Sequence, residues 1–389
     1  MTDPRSSGTS RWLSVFCALA CVLIPFRCGF PIVARAQNLD LDRPTLNIDE
    51  DISAFAYAPD GRIVFSIRRQ FHTKQYDLER DDVWIQETNG KRRRLLQGEK
   101  FLRGNMPFTY TVDSFRWSPN GHLILAQLFT TTVDEAGKPQ DSAMTLALED
   151  SGKELHLGGR DNLIPDARGA SWLLDNSTIV FLTEAIKPKV LYSFRYINIA
   201  GGPAGNVFEG RTFLDATPVP HSNWAIAVER DRTLTGPPRL QRLELLAQDD
   251  HELATLDGYG GGISVSPSGK KAAYYLDKEV LEVRDLTDPT RIVRLRVGLG
   301  TFQWALEENR ILLKRSVEKK SGDLVWIDIP VLVAHPVSEK DPPPVVQPTP
   351  VSILHGLTFR DFAISPDGHY LAVIAPGKRN LLAFPLPPR

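Results

Sequence analysis

The sequence predicts an all-β fold: a seven-bladed β-propeller of four-stranded antiparallel blades, its last blade closed by the N-terminal strand. Three observations predict it. A turn of the type Ser-Pro-Asp-Gly recurs along the chain, apolar residues alternate with period two before each turn, and a second apolar run follows each turn. Antiparallel strands joined by tight turns have this pattern. Its recurrence at near-blade spacing points to a propeller, where each repeat buries its faces against its neighbours.

The first 36 residues stand apart from that pattern. Arg5 and Arg11 precede an apolar run from Trp12 to Phe26, and Ala34-Arg35-Ala36 puts small residues at the two positions a signal peptidase reads. Residues 1–36 therefore read as a signal peptide cleaved before Gln37, and residues 37–389 as a single propeller domain. The competing reading is a retained anchor, for which a run of 15 residues is short against the ~20 that span a bilayer. Cys17, Cys21 and Cys28 all lie in this segment, so the expected mature chain has no cysteine and no disulfide. A chain of this size can be held by burial alone, which suits a bacterial periplasm or a secreted location. Losing four Arg and one Asp takes the formal charge from −1 to −4. The mature chain offers no global field for nucleic acid, and no membrane span is expected in it.

Taken in order, the blades start near residues 52, 112, 167, 214, 262, 300 and 359. The clearest turns are Ala58-Pro59-Asp60-Gly61, Ser118-Pro119-Asn120-Gly121 and Ser365-Pro366-Asp367-Gly368, with Ser266-Pro267-Ser268-Gly269 close to them. Three copies have decayed: Leu173-Leu174-Asp175-Asn176, Val219-Pro220-His221-Ser222-Asn223 and Ala305-Leu306-Glu307-Glu308-Asn309. In these, Asn176, Asn223 and Asn309 stand at or beside the glycine position, and Asn tolerates a left-handed backbone at modest cost. Proline sets φ at the first corner and Asp, Asn or Ser bonds back to the backbone, which makes the turn a hairpin turn by mechanism.

Before the turns stand the alternating pairs Phe55/Tyr57, Phe115/Trp117, Ala170/Trp172, Thr217/Val219, Ile263/Val265, Phe302/Trp304 and Phe362/Ile364, separated by smaller or polar residues such as Ala56, Ser171, Ser264 and Gln303. Third and fourth strands follow. In the first blade they are Asp82–Gln86 and Arg93–Leu96, joined through Asn89-Gly90, the best short-range hairpin signal.

Turn spacing, measured on the residues just before each turn, is 60, 55, 47, 46, 39 and 60. A blade takes about 40–50 residues, so the longer intervals hold insertions. These are the polar stretches Arg69–Asp81 and Thr130–Ser142, read as loops, and residues 330–350, an extended loop with seven prolines in 21 residues. The seventh blade ends early at Asn380–Leu386, and Pro44–Ile48 is the segment available to complete it, which would remove a sheet edge.

The turns and their flanks resemble the repeats of the TolB-like (WD40-like, PD40) propellers, in which an apolar or aromatic residue precedes Ser-Pro-Asp-Gly and an apolar strand follows. The resemblance covers essentially the whole expected mature chain, although four of the seven copies keep Pro and Gly together. It implies architecture and transfers no functional residue, because the shared motif is a structural turn.

Catalytic patterns are absent from the sequence. There is no Gly-x-Ser-x-Gly elbow and no segment after Ile374 long enough for a hydrolase domain. The eight histidines are scattered, none at helical i, i+4 spacing. Gly258-Tyr259-Gly260-Gly261-Gly262 precedes a strand and not a helix, so it reads as a connection between blades and not as a phosphate cradle. Lys91–Arg94 reads as a charged strand edge that discourages pairing.

Two functional classes remain. The leading expectation is a non-catalytic scaffold in the cell envelope that binds a protein partner and carries no cofactor, with Arg69, Phe71, His72 and Tyr76 of the first insertion as binding residues, since loops on a rigid scaffold carry function and this mixture of aromatic and cationic groups suits an interface. The alternative is a hydrolase or lactonase-like propeller with a divalent metal in its central channel, held by Asp51, Asp113, Asp215 and Asp361, which precede or enter four innermost strands.

Overall fold

The computed structural model describes residue 39 and residues 43–72, 77–99, 108–133, 138–155, 157, 163–186, 191–318, 321–335, 342–357, 360–375 and 377–386. The proposed signal peptide lies outside the described residues, all of which belong to one unit, Ala36–Arg389. Among them every regular element is a β-strand, and no helix is long and apolar enough to cross a membrane.

After β1 (Leu46–Ile48), a first sheet gathers β2 (Ile52–Tyr57), β3 (Ile63–His72), β4 (Asp77–Gln86), β5 (Arg92–Leu96), β6 (Phe108–Trp117), β7 (Leu123–Val133), β8 (Pro139–Glu149) and β9 (Leu163–Pro165). It is two antiparallel four-strand groups, β2–β5 and β6–β9, tied by one bridge between Arg80 and Tyr110. A second sheet repeats the plan with β10 (Arg168–Trp172), β11 (Thr178–Ile186), β12 (Leu191–Asn198), β13 (Gly205–Asn206), β14 (Phe213–Pro218), β15 (Trp224–Glu229), β16 (Arg239–Glu244) and β17 (Asp249–Thr255), tied by Tyr192 and Phe213. A third comprises β18 (Gly261–Val265), β19 (Lys271–Tyr275), β20 (Val280–Asp285) and β21 (Arg291–Arg296); a fourth begins with β22 (Gly300–Trp304), β23 (Arg310–Glu318) and β24 (Ser321–Asp328). The chain then turns back, laying β25 (Val333–Ala334) and β26 (Val345–Val346) along the free edge of β21, before β27 (Val351–Leu357) completes the fourth sheet. The last sheet is β28 (Phe362–Ile364), β29 (Tyr370–Ile374), β30 (Leu381–Pro385) and β1. Here Leu46, Asn47 and Ile48 pair with Ala383, Leu382 and Leu381.

Burial follows position within each group. Inner strands such as β19 and β20 are buried along both faces, whereas the outermost β17 is exposed over most of its length. The apolar core therefore lies between successive groups. One cluster joins Val64, Val83 and Ile85 to Tyr110, Val112 and Leu128. The series returns to its start where Ala372, Ile374 and Leu381 pack on Ile52, Phe65 and Ile67. Each such side chain removed from water contributes about 1.5–3 kcal/mol.

The turns show why their letters recur. Ser118 is fully buried, its Oγ donates to Asn120 Oδ1 (2.7 Å) and accepts the Leu123 N–H (2.9 Å), and Asn120 Oδ1 in turn accepts the His122 N–H (3.1 Å). Gly121, at φ 73°, closes the turn back to Ser118 O. Two decayed copies depart from the expectation. Asn176 takes the left-handed conformation as expected, but in the fourth copy His221 does so and in the sixth Glu308, while Asn223 and Asn309 do not. Glu308 occupies the glycine position itself and its carboxylate bonds both the N–H and the Oγ of Ser268 in the preceding turn. An inter-turn contact thus offsets the cost of its backbone.

The 330–350 segment also differs from a plain loop, since Val333-Ala334 and Val345-Val346 cap the hydrogen-bonding edge of β21.

Candidate functional site

The two polar insertions are not loops. β3 and β4 pair without interruption from Ile63↔Gln86 out to His72↔Asp77, and β7 and β8 from Leu123↔Glu149 out to Val133↔Pro139. Each insertion is a hairpin running past the rest of its sheet, exposed toward its far end at Gln70, His72, Asp77 and Pro139–Asp141, while Leu78, Asp81 and Thr130 nearer the core are buried. Strand geometry then separates the expected binding residues. Side chains alternate faces, so Arg69 and Phe71 share one face of the hairpin and His72 projects from the other. Arg69 is half-exposed beside Glu50 (3.3 Å) and Asp82 (3.6 Å), Phe71 is half-buried, and exposed His72 meets Asp77 at 2.8 Å. Tyr76 lies outside the described residues.

First strands of successive groups touch along β2, β6, β10, β14 and β18, and Gln303 of β22 continues the series by bonding Phe362 O (2.8 Å) and the Ile364 N–H (3.1 Å) of β28. Between these strands lies a cavity of about 850 Å³, reaching from Asp215 and Gly260 at their starts to Pro119 and Pro267 at the turns. Most of the inner-strand side chains on its wall are small, among them Ser171, Thr217 and Ser264. Arg116 is the long cationic exception. Its side chain is exposed to solvent, and desolvation by the surrounding protein lowers its pKa against the opposing pull of Asp361.

The four aspartates of the metal alternative are not brought to one point. Asp215 is committed to the next group: it accepts the Tyr259 hydroxyl at 2.6 Å and its own neighbour's N–H, from Ala216, at 2.9 Å. Burial raises its pKa and those bonds oppose the rise. Asp51 pairs with Arg379 at 3.4 Å. Asp113 and Asp361 do share one region, where burial raises the Asp361 carboxyl, the Phe362 N–H and Lys314 hold it down, and Asp113 adds to the rise. Among the described residues no three His, Cys, Asp or Glu side chains converge as a metal set.

A second acid lies deeper. Asp81 of β4 is fully buried. One carboxylate oxygen accepts the Val112 N–H of β6 at 2.8 Å, while the other makes no hydrogen bond of good geometry among the described residues, although the buried Ser53 hydroxyl lies near enough to favour the charged form. Burial pushes its pKa up to about 6 against the Val112 bond and the attraction of Arg68 and Arg360.

No family model matches the chain, and no curated protein matches it by sequence. Solved structures do match. One chain of the crystal structure of a mitotic checkpoint complex aligns over 95% of this chain and 99% of its own at 12% identity, TM-score 0.54. The β-propeller domain of Cps50 (Swd1) from Myceliophteria thermophila aligns over 88% of this chain and 100% of its own at 9% identity, TM-score 0.51. The fold is a β-propeller. TolB from Acinetobacter baumannii also aligns, over 70% of this chain and 62% of its own at 14% identity, but its TM-score of 0.41 carries no weight. Identities this low establish the fold alone.

Of the residues that stand between the two alternating apolar side chains of each first strand, Arg116, Ser171, Pro218, Ser264 and Gln303 line this cavity, while Ala56 and Ala363 pack between sheets. Arg116 was therefore the readable signal that sequence analysis passed over when it treated these residues as generic spacers. Asp81 left a fainter one: a pair of acids, Asp81-Asp82, opening the apolar stretch Val83-Trp84-Ile85.

Proposed function

We propose that this chain is an exported, non-catalytic seven-bladed propeller of the TolB-like, WD40-like (PD40) kind, its last blade completed by β1, and that it acts in the periplasm or outside the cell as a docking scaffold for a protein partner. The observation that carries the proposal is the pair of extended hairpins β3–β4 and β7–β8. They come from adjacent four-strand groups and both join second to third strands, so they project from the same face of the propeller. Paired strands hold Arg69, Phe71 and their neighbours more rigidly than loops would, which lowers the ordering cost of binding. The signal-like segment and the absence of cysteine after Cys28 support export. The seven turns, and the pairing of β1 with β30, support the blade count and its closure.

Affinity capture from an envelope fraction tests the reading. The mature protein is compared with a variant in which both hairpins are cut back to the length of the β19–β20 turn. A partner retained by the first and lost by the second, at unchanged melting temperature, is the expected result; an identical set of captured proteins removes the proposed face.

A further inference from the structure

Interfaces between successive groups of this propeller are mainly apolar, joined at points by polar contacts such as Asp81–Val112 and Tyr259–Asp215. Where β6–β9 faces β10, Leu125, Ala147, Trp172 and Phe181 pack as elsewhere. Toward the hairpin face the same interface opens into a cleft of about 310 Å³. Its wall from the β6–β9 sheet carries Arg116, Gln127 and Thr145, and its opposite wall begins with Arg168. Gln127 and Thr145 are held in place: Gln127 Nε2 donates to Met144 O (3.0 Å) and Thr145 Oγ1, fully buried, donates to Gln127 Oε1 (3.3 Å). Polar side chains preset inside an interface that is otherwise hydrocarbon mark a binding cleft more than a packing defect, because they forfeit burial without bonding across it.

The charges lining the cleft are unspent. Among the described residues the Arg116 guanidinium and the Asp113 carboxylate have no hydrogen-bond or ion-pair partner. Arg168 is anchored on the far wall by donating to the Tyr192 hydroxyl at 3.2 Å and lying over its ring. Two guanidinium groups line the cleft against one carboxylate, with Asp361 acting on Arg116 from outside the lining, and a planar fork without a bonded partner is matched best by a carboxylate. Half-open to solvent at the rim, Phe129 supplies an apolar cover at 53% exposure.

We infer that this cleft binds a small carboxylate that also carries a hydroxyl or amino group, its carboxylate on Arg116 within reach of Arg168 and its donor group on Asp113. This ligand site is separate from the protein-docking reading and stands if that reading fails. A cleft of this size, at the lower end of small-molecule sites, takes a hydroxy acid or an amino acid and excludes a folded partner.

Calorimetric titration at constant ionic strength with acetate, glycolate, glycine, ethanolamine and inorganic phosphate tests it, using the mature protein and its Arg116→Met and Asp113→Asn variants. Glycolate and glycine are expected to bind more tightly than acetate, and ethanolamine not at all. Arg116→Met should weaken carboxylate binding at least about tenfold, the effect of losing a charge-assisted fork, with its unliganded melting temperature unchanged. Asp113→Asn should remove the preference for glycolate over acetate. Absence of carboxylate binding by the unaltered protein, equal binding by Arg116→Met, or phosphate preferred over every carboxylate overturns the assignment.

Discussion

Asp81 accepts the backbone N–H of Val112 at 2.8 Å, joining the third strand of one four-strand group to the first strand of the next. The bond replaces ladder pairing where β4 and β6 touch through one bridge, and Tyr110 reinforces it by donating its hydroxyl to Asp81 O at 2.7 Å. A fully buried carboxyl with one unsatisfied oxygen is a costly way to make such a joint.

That cost sets a pH dependence. Burial raises the Asp81 pKa from 3.8 to about 6, so the folded state holds its proton more tightly than the unfolded chain. The contribution of this group to stability is full below about pH 4 and is lost as pH rises through about 6; at 1.36 kcal/mol per unit the loss amounts to about 3 kcal/mol. Asp81→Asn keeps an acceptor for Val112 without the charge. It should stabilise the protein at pH 8 by up to that amount and bring no gain at pH 4, as read from urea unfolding at the two pH values.

Tyr259 and Asp215 form the corresponding stitch across β14 and the entry to β18, at 2.6 Å. Tyr259→Phe leaves a buried carboxylate short of one donor, and should cost about 1–3 kcal/mol in chemical denaturation. No change on substitution would mean that Ala216 and the neighbouring N–H groups suffice alone.

Glu282, wholly buried, lies between two arginines: Arg284 Nη2 at 2.6 Å and Arg294 Nε at 2.9 Å, with Arg294 reaching on to Asp257 at 2.7 Å. Glu282→Ala leaves Arg284 without its carboxylate and Arg294 with Asp257 alone, and should cost about 3–5 kcal/mol. Replacing Glu282, Arg284 and Arg294 together by apolar residues should recover most of that loss, because a buried ion set seldom outweighs its own desolvation. Unfolding free energies of the single and triple variants decide the matter.

His221 holds φ 56° in the fourth turn, and nothing on its exposed side chain compensates. His221→Gly should therefore raise the melting temperature slightly, by up to about 1 kcal/mol of relieved strain, whereas Glu308→Gly, which also deletes the bonds to Ser268, should lower it.

These positions also show what the sequence could and could not disclose. The turns were legible because their chemistry is local: Ser118, Pro119, Asn120 and Gly121 determine one another's geometry within four residues. Glu308 was misjudged because its conformation is fixed by a contact to another turn, which no local reading contains, and His221 because the left-handed residue of that turn stands two positions before Asn223. The insertions were taken for loops because a hairpin exposed at its far end, and burying acids and threonine nearer the core, loses the apolar alternation by which strands are recognised. Within them, an odd spacing of three residues puts Arg69 and His72 on opposite faces. The cavity cation was written in the text at Arg116, between Phe115 and Trp117, but its meaning depends on a cavity that exists only once the sheets are arranged around it. The Asp81–Val112 joint spans 31 residues and follows from no motif within a repeat.

The central claim is that partners dock on the hairpin face. Site-specific photocrosslinking tests it most directly, with the crosslinker placed at His72 or Gln140 on the hairpins, and at Asn89 or Lys270 in turns on the opposite face. In cells exporting the protein, the account predicts one and the same discrete adduct from His72 and Gln140 and none from Asn89 or Lys270. Adducts arising from the turn face, or from neither face, would contradict it.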